Sequence, residues 1–274
     1  MKTLQNDLYK KEDLKYCLIT ELISKSDELT FVEDEENYLI CKSNNGAPIW
    51  IWNRDDISLE KIEELVSKLK EFTLNDDEIQ ITAKEKIFNR LVKEYKDSLV
   101  DDYYKEKGYY VKMESYSNNN PVLDKSVVGF KRNAKKDEKG ILAYYKKCDY
   151  EDTLGTYGLS TIKDEDYLKI AERQINNPNF YVWEVDGKIV STASYRPGDN
   201  YFRISEVFTD RESRGHGYAG MLVYELCEEI ISQGKTPMLY ADSNYLSSNK
   251  AYQKIGFESQ GALYTLKIDK RLKM

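Results

Sequence analysis

The sequence predicts an α+β protein in two parts. A smaller α/β domain is expected over residues 1–124, followed over residues 125–274 by a domain built on a mixed, mostly antiparallel central sheet flanked by helices. Three observations carry this. Segments with the helical period of about 3.6 residues are interspersed with segments of strand character. Within the second part, the turn signals Asp186-Gly187 and Arg196-Pro197-Gly198-Asp199-Asn200 join consecutive strand-like runs, as hairpins require. The polar cluster Ser117-Asn118-Asn119-Asn120-Pro121 separates two stretches of different texture, because its residue types favour turns over helix or sheet.

In the first part, Leu14, Cys17, Leu18 and Leu22 recur at helical spacing over residues 10–24. Residues 38–41 and 48–52 are apolar runs around the turn Ser43-Asn44-Asn45-Gly46 and read as two strands. Ser58 is a candidate N-cap for a helix that puts Ile62, Leu65, Val66 and Leu69 on one face. A short strand is expected at 78–82, a longer helix at about 83–105 and a strand at 109–116. Trp50-Ile51-Trp52 and the tyrosine pairs Tyr103-Tyr104 and Tyr109-Tyr110 are expected to serve packing.

In the second part, a first strand is expected at 127–132. Helices follow at 137–148 and 164–175, each opened by an aspartate. Strands are expected at 179–185, 188–195 and 201–209, then a helix at 218–232 with Gly234 at its C-terminal cap. A strand at 237–242, a short helix at 247–255 closed by Gly256 and a strand at 261–268 complete the chain.

Composition narrows the function. Of 274 residues, 41% are hydrophobic and 32% charged, enough for packed cores under a solvated surface, and the net charge is −7. A nucleic-acid binder would carry a basic footprint instead. No run approaches the roughly 18 apolar residues of a membrane span, and the polar N-terminus lacks the pattern of a signal peptide, so a cytoplasmic location is expected. The cysteines Cys17, Cys41, Cys148 and Cys227 are scattered, and His216 is the single histidine. Buried free thiols and no metal site are expected.

The chemistry concentrates at Arg214-Gly215-His216-Gly217-Tyr218-Ala219, between the strand 201–209 and the helix 218–232. The first turn of a helix has N–H groups without intrahelical partners and a partial positive charge. Glycine permits positive φ and a close backbone approach. Such a turn holds a diphosphate without a metal, since each hydrogen bond to a charged oxygen contributes about 1.5–3 kcal/mol. Further on come Leu239-Tyr240-Ala241-Asp242, Asn244, Ser248-Asn249, Tyr252 and Gly256-Phe257.

With Val207-Phe208-Thr209 before the turn and those residues after it, in that order, the chain from about residue 179 onward resembles the GNAT superfamily of N-acetyltransferases. The resemblance reaches back to about Val127 through Arg132 and Asp137, and leaves out residues 1–124. The two-part layout is similar to members that carry a degenerate N-terminal domain ahead of the catalytic one, so a worn copy of the same fold is one reading of residues 1–124.

The resemblance implies the acyl-CoA N-acyltransferase fold, in which two parallel strands, here 201–209 and 237–242, splay apart around acetyl-CoA. It implies that Val207, Phe208 and Thr209 line this cofactor, with backbone groups of Val207 and Thr209 pairing with the pantetheine. The backbone of Arg214, Gly215, His216, Gly217, Tyr218 and Ala219 would hold the pyrophosphate, and Ser248 with Asn244 or Asn249 would meet the cofactor near the last helix.

The reaction implied is direct attack of an amine on the thioester in a ternary complex. A primary amine of pKa near 10.4 is neutral in only about one molecule in a few thousand at pH 7, so a general base is needed. Glu206 is the candidate base, although the family carries its catalytic glutamate earlier on the strand, where this chain has Phe202. Tyr252 stands where the family has the tyrosine that protonates the leaving thiolate. His216 is expected to face solvent. The expected partner is a small-molecule amine or a peptide, with no nucleic acid and no membrane, and a homodimer is one candidate assembly. An acyl-CoA-binding regulator without catalysis is the alternative.

Overall fold

The structure is a computed structural model that describes residues 15–16, 19, 21, 30–34, 36–42, 48–99, 111–123, 126–157 and 162–273. The expected helix at 10–24, the turn at 43–46 and the pairs Tyr103-Tyr104 and Tyr109-Tyr110 lie wholly or largely outside these residues. The chain divides into two compact units, residues 1–116 with 240–246 and 259–274, and residues 117–239 with 247–258.

The first unit carries β1 (Thr30–Asp34), β2 (Tyr38–Lys42), β3 (Ile49–Asn53), β4 (Glu78–Ala83), β5 (Val111–Ser117) and most of β11 (Glu258–Asp269), in the spatial order β1-β2-β3-β4-β11-β5. Helix α1 (Leu59–Phe72) connects β3 to β4. These two strands pair in parallel, which a tight turn cannot achieve and a helical crossover can. Ser58 caps α1 by accepting from the N–H of Lys61 at 3.2 Å, as expected.

Every residue of β3 is buried, and the period of two explains how. Ile49 and Ile51 enter a core with Leu65 and Leu69 of α1 and with Ile81 and Leu266. Trp50 and Trp52 enter a second cluster with Tyr16, Leu39, Cys41 and Leu263. Each fully buried apolar side chain of this size contributes about 1.5–3 kcal/mol.

The helix expected at 83–105 is shorter. Helix α2 spans Glu85–Glu94, and Tyr95 leaves the helical region at φ −107° and ψ 18°. A single 3-10 turn follows over Lys96–Ser98, and Leu99 then forms an antiparallel bridge with Ile268. Burial of Tyr95 and sheet pairing at Leu99 end the helix before that point, and residues 100–105 of the expected helix lie outside the described residues. The strand β1, flanked by acidic residues, was not expected.

In the second unit, β6 (Phe130–Asn133), β7 (Phe180–Val185), β8 (Lys188–Pro197), β9 (Tyr201–Thr209) and the start of β10 (Thr236–Asp242) lie in the order β10-β9-β8-β7-β6. The pairs β6/β7, β7/β8 and β8/β9 are antiparallel, and β9/β10 is parallel. Asp186 and Gly187 both have positive φ, 49° and 77°, as a two-residue turn between β7 and β8 requires.

Helices α3 (Lys139–Tyr157) and α4 (Asp164–Ile175) cover one face of this sheet. Their Leu142, Tyr145, Tyr167 and Ala171 share a core with Phe180, Val182 and Phe208. Helix α5 (Tyr218–Ser232) covers the other face, packing on β7, β8 and β9. Tyr181, between Phe180 and Val182, points to that side and donates to Glu229 at 3.0 Å.

The 117–121 cluster does more than interrupt the chain. Asn118 is buried; its side chain donates to the carbonyl of Ile255 at the end of helix α6 (Leu246–Ile255) and accepts from the N–H of Asn120, both at 3.0 Å. Its own N–H donates to Pro237 at 3.0 Å, and the N–H of Val122 donates to Ile255 at 2.7 Å. Gly256 lies beneath, at φ 101°, where an added Cβ would stand 2.9 Å from the carbonyl oxygen of Asn120.

Candidate active site

The site begins at an irregularity between β8 and β9. Thr192 pairs with Phe208 and Ser194 with Ser205, so one residue of β8 faces two of β9. A bulge of this kind bends the strand and re-aims a side chain. Glu206 occupies it at φ 54°, a left-handed conformation that costs a residue with a Cβ about 1–2 kcal/mol. A ladder of hydroxyls on β8 holds the bulge in place. Ser191 donates to the carbonyl of Phe208 at 2.7 Å and Thr192 to that of Glu206 at 3.2 Å.

The Glu206 side chain turns toward α3 and α4, into a cleft lined by Leu142, Tyr145, Asp149, Gln174, Thr192 and Phe208. One carboxylate oxygen accepts from Nε2 of Gln174 at 3.0 Å, and the other accepts from the hydroxyl of Ser194 at 2.9 Å. Phe202, four residues earlier, is buried and stacked on Tyr195, whose hydroxyl donates to Glu229 on α5. It therefore packs on the opposite face of the sheet and does not line the cleft.

At the approach to the bulge, β9 loses its parallel neighbour. The β9/β10 register runs from Tyr201↔Thr236 to Ile204↔Leu239 and stops there, while β9 continues to Thr209 paired with β8. Val207 and Thr209 are half-buried and Phe208 is buried in the core beneath α3.

The chain then enters the glycine turn. Arg214, Gly215, His216 and Gly217 are exposed, and Gly215 and Gly217 take φ 83° and 86°. Gly217 is the N-cap of α5. The N–H groups of Tyr218, Ala219 and Gly220 in the first turn have no intrahelical partner. The guanidinium of Arg214 donates to Asp152 on α3 at 2.6 Å and lies over the ring of Phe208. Its side chain is thus engaged with the protein. His216 faces solvent, its Nδ1 lying 3.1 Å from the carbonyl oxygen of Arg214, and its ring stacks on Tyr218.

On α6, Ser248 is half-buried and Asn249 buried. Tyr252 is half-buried, with its ring set edge-on to Phe257 at 5.9 Å. Burial pushes the Tyr252 phenol up to about 12, and the Asp149 carboxylate, which lines the cleft, adds to the rise. Asn244 belongs to the first unit, in a turn where its N–H donates to Asp242 at 2.9 Å. Among the described residues, no three His, Cys, Asp or Glu side chains gather as metal ligands, and no helix is long and apolar enough to cross a membrane.

Comparison with known proteins identifies this arrangement. Residues 140–257 match the family model described as Acetyltransferase (GNAT) family. This part of the chain is a GNAT acetyltransferase domain. Solved structures agree on the fold. A GCN5-related N-acetyltransferase from Kribbella flavida superposes with a TM-score of 0.60 at 10% identity, over 96% of each chain. One from Sphaerobacter thermophilus gives 0.59 at 12% identity, over 92% of this chain and 85% of that one. A GNAT-family acetyltransferase from Colwellia psychrerythraea gives 0.57 at 14% identity, over 87% and 84%. No curated protein sequence matches the chain. The mixed sheet with its parallel pair is therefore the acyl-CoA N-acyltransferase fold.

Within the GNAT domain, the structure gathers Glu206, Val207, Phe208, Thr209 and the 214–219 turn along one strand and the helix after it. Tyr252 does not line the Glu206 cleft, but its phenol feels the charge of Asp149, which does. Sequence reasoning missed Gln174, Ser194, Thr192 and Asp149. The last three had a faint signal: the hydroxyls of Ser191, Thr192 and Ser194 are buried on an inner strand, where unpaired polar groups are costly, and Asp149 lies on a helix face turned to the core.

Proposed function

We propose that the GNAT domain transfers acetyl from acetyl-CoA to a primary amine of a small molecule or peptide, by direct attack in a ternary complex. The observation that carries this reading is the end of β9/β10 pairing at Ile204↔Leu239, beside the Glu206 bulge and ahead of the glycine turn. An unpaired strand edge and an exposed, positively polarised helix start lie in line, which suits an extended amide-bearing arm ending in a diphosphate. The residues fit this group: among the described residues, no backbone carbonyl accepts from the N–H groups of Gly215, His216, Gly217, Tyr218 or Ala219. At Gly217 a Cβ would project into the turn and meet Val127 at 3.3 Å.

Acetyl-CoA supplies an activated thioester. The chain supplies position and proton transfer. The backbone of 207–209 and the 214–219 turn hold the carrier, and Ser248 with Asn249 or Asn244 borders it. Glu206, its carboxylate fixed by two donors, takes a proton from the acceptor ammonium. Tyr252, protonated throughout the neutral range because its pKa is raised, donates toward the leaving sulfur. Buried free thiols at Cys41, Cys148 and Cys227 suit the reducing cytoplasm.

The test is CoA release from acetyl-CoA with a panel of polyamines, amino acids, aminoglycosides and peptides. At least one amine should raise release above hydrolysis, and E206Q should lower kcat/KM for it by about 10²- to 10⁴-fold, the range for loss of a general base. Acetyl-CoA binding without transfer to any amine would instead establish a regulatory binding domain.

A further inference from the structure

We propose that Gln174 is a positioning residue with two ends, one orienting the Glu206 carboxylate and the other receiving an N–H of the acceptor amine. This rests on the reading of Glu206 as the base. Gln174 lies near the end of α4, is 7% exposed, and lines the cleft with Glu206. Its amide has one sensible orientation. With Nε2 toward Glu206 it donates at 3.0 Å to an oxygen that needs a donor; turned over, it would set two acceptors against each other.

The orientation has a consequence at the other end. Oε1 of Gln174 is buried and, among the described residues, accepts no hydrogen bond. A buried acceptor left without a donor is costly. The neighbouring hydroxyls are already engaged: Ser194 serves Glu206, Thr192 serves the Glu206 carbonyl, and Tyr145 donates to the carbonyl of Ile189. The carboxylate and the unsatisfied amide oxygen thus belong to two neighbouring side chains of one cleft, a pair that matches a group with several N–H bonds.

A primary ammonium satisfies both. One of its N–H bonds points to Glu206 and another to Oε1 of Gln174. When the first N–H bond breaks, the proton passes to a Glu206 oxygen and the electron pair stays on nitrogen. The amine keeps its second N–H on Gln174, which fixes the direction of the freed pair. Gln174 thus acts on the acceptor and on Glu206, and leaves the acetyl-CoA arm untouched.

The experiment uses the full chain and the best amine from the panel. Q174M keeps the length and removes both hydrogen bonds; Q174N keeps the polarity and falls short of Glu206, and serves if Q174M fails to fold. For either, acceptor kcat/KM should drop by about 10- to 100-fold, the loss expected for a buried hydrogen bond to a charged group, while the acetyl-CoA KM stays within about twofold. Since one end of Gln174 works through Glu206, the loss in the double variant with E206Q should be smaller than the product of the two single losses. Unchanged acceptor kinetics in Q174M, an equal rise in the acetyl-CoA KM, or additive losses in the double variant would overturn the proposal while E206Q still marks the base. If E206Q itself retains full rate, the reading of Glu206 falls, and this one with it.

Discussion

Replacing Gly217 by alanine tests the glycine turn at the position where both space and conformation are constrained. Gly217 holds φ 86°, and a Cβ there would lie 3.3 Å from Cγ1 of Val127. The left-handed conformation costs alanine about 1–2 kcal/mol, and Val127 must yield slightly as well. For a chain of this size each kcal/mol lowers Tm by roughly 2–4 °C, so G217A should melt about 2–8 °C below the parent. Relaxation of the turn would also swing at least one N–H away from the diphosphate. A hydrogen bond to a charged oxygen contributes about 1.5–3 kcal/mol, so acetyl-CoA should bind about 10- to 150-fold more weakly, at 1.4 kcal/mol per decade. Isothermal titration calorimetry with acetyl-CoA and thermal melts measure the two effects separately. G215A is the matched control: its φ is 83° and nothing stands within 4 Å of its Cβ, so it carries the strain without the crowding. If G217A melts lower and yet binds acetyl-CoA as tightly as the parent, the turn is a structural corner and the diphosphate assignment is wrong.

Two further variants address the neighbouring side chains. Y252F should lower kcat by roughly 10²- to 10⁴-fold, the span of general acid catalysis, with acetyl-CoA affinity unchanged. Because the Tyr252 pKa is raised to about 12 in the folded protein, its contribution to stability is complete below the ordinary tyrosine value of about 10 and fades as pH climbs toward 12; denaturant melts across that interval should show a shallower decline for Y252F than for the parent. R214A should leave acetyl-CoA binding within about threefold, because the guanidinium is engaged with Asp152 on the surface and such exposed pairs contribute only about 0–1 kcal/mol; a loss above tenfold would give the Arg214 side chain a phosphate contact.

The elements legible in the sequence were those whose local chemistry decides their geometry. Ser58 marks a helix start because its hydroxyl meets an orphan N–H, and Asp186-Gly187 marks a hairpin because both positions must be left-handed. The glycine turn was legible for the same reason. Where distant partners decide, the sequence was silent. The stretch beyond Glu94 looks helical in isolation, yet Leu99 pairs with Ile268 across the chain. Likewise Gln174 sits 32 positions from the carboxylate it serves, on a helix whose apolar face is already explained by Tyr167 and Ala171. A side chain recruited across a cleft leaves no periodicity to read.

The backbone of Glu206 has a consequence for any attempt to harden this protein. At φ 54° the position suits glycine or asparagine better than glutamate, and the present side chain is retained against that preference. A library selected only for survival on heating should sample glycine at 206, which relieves about 1 kcal/mol of backbone strain against the hydrogen bonds lost at Gln174 and Ser194. It would do so by discarding the carboxylate. With Glu206 as the proposed base, turnover and backbone strain relief pull in opposite directions at this one residue, and a thermostabilised variant should be sought with position 206 held fixed.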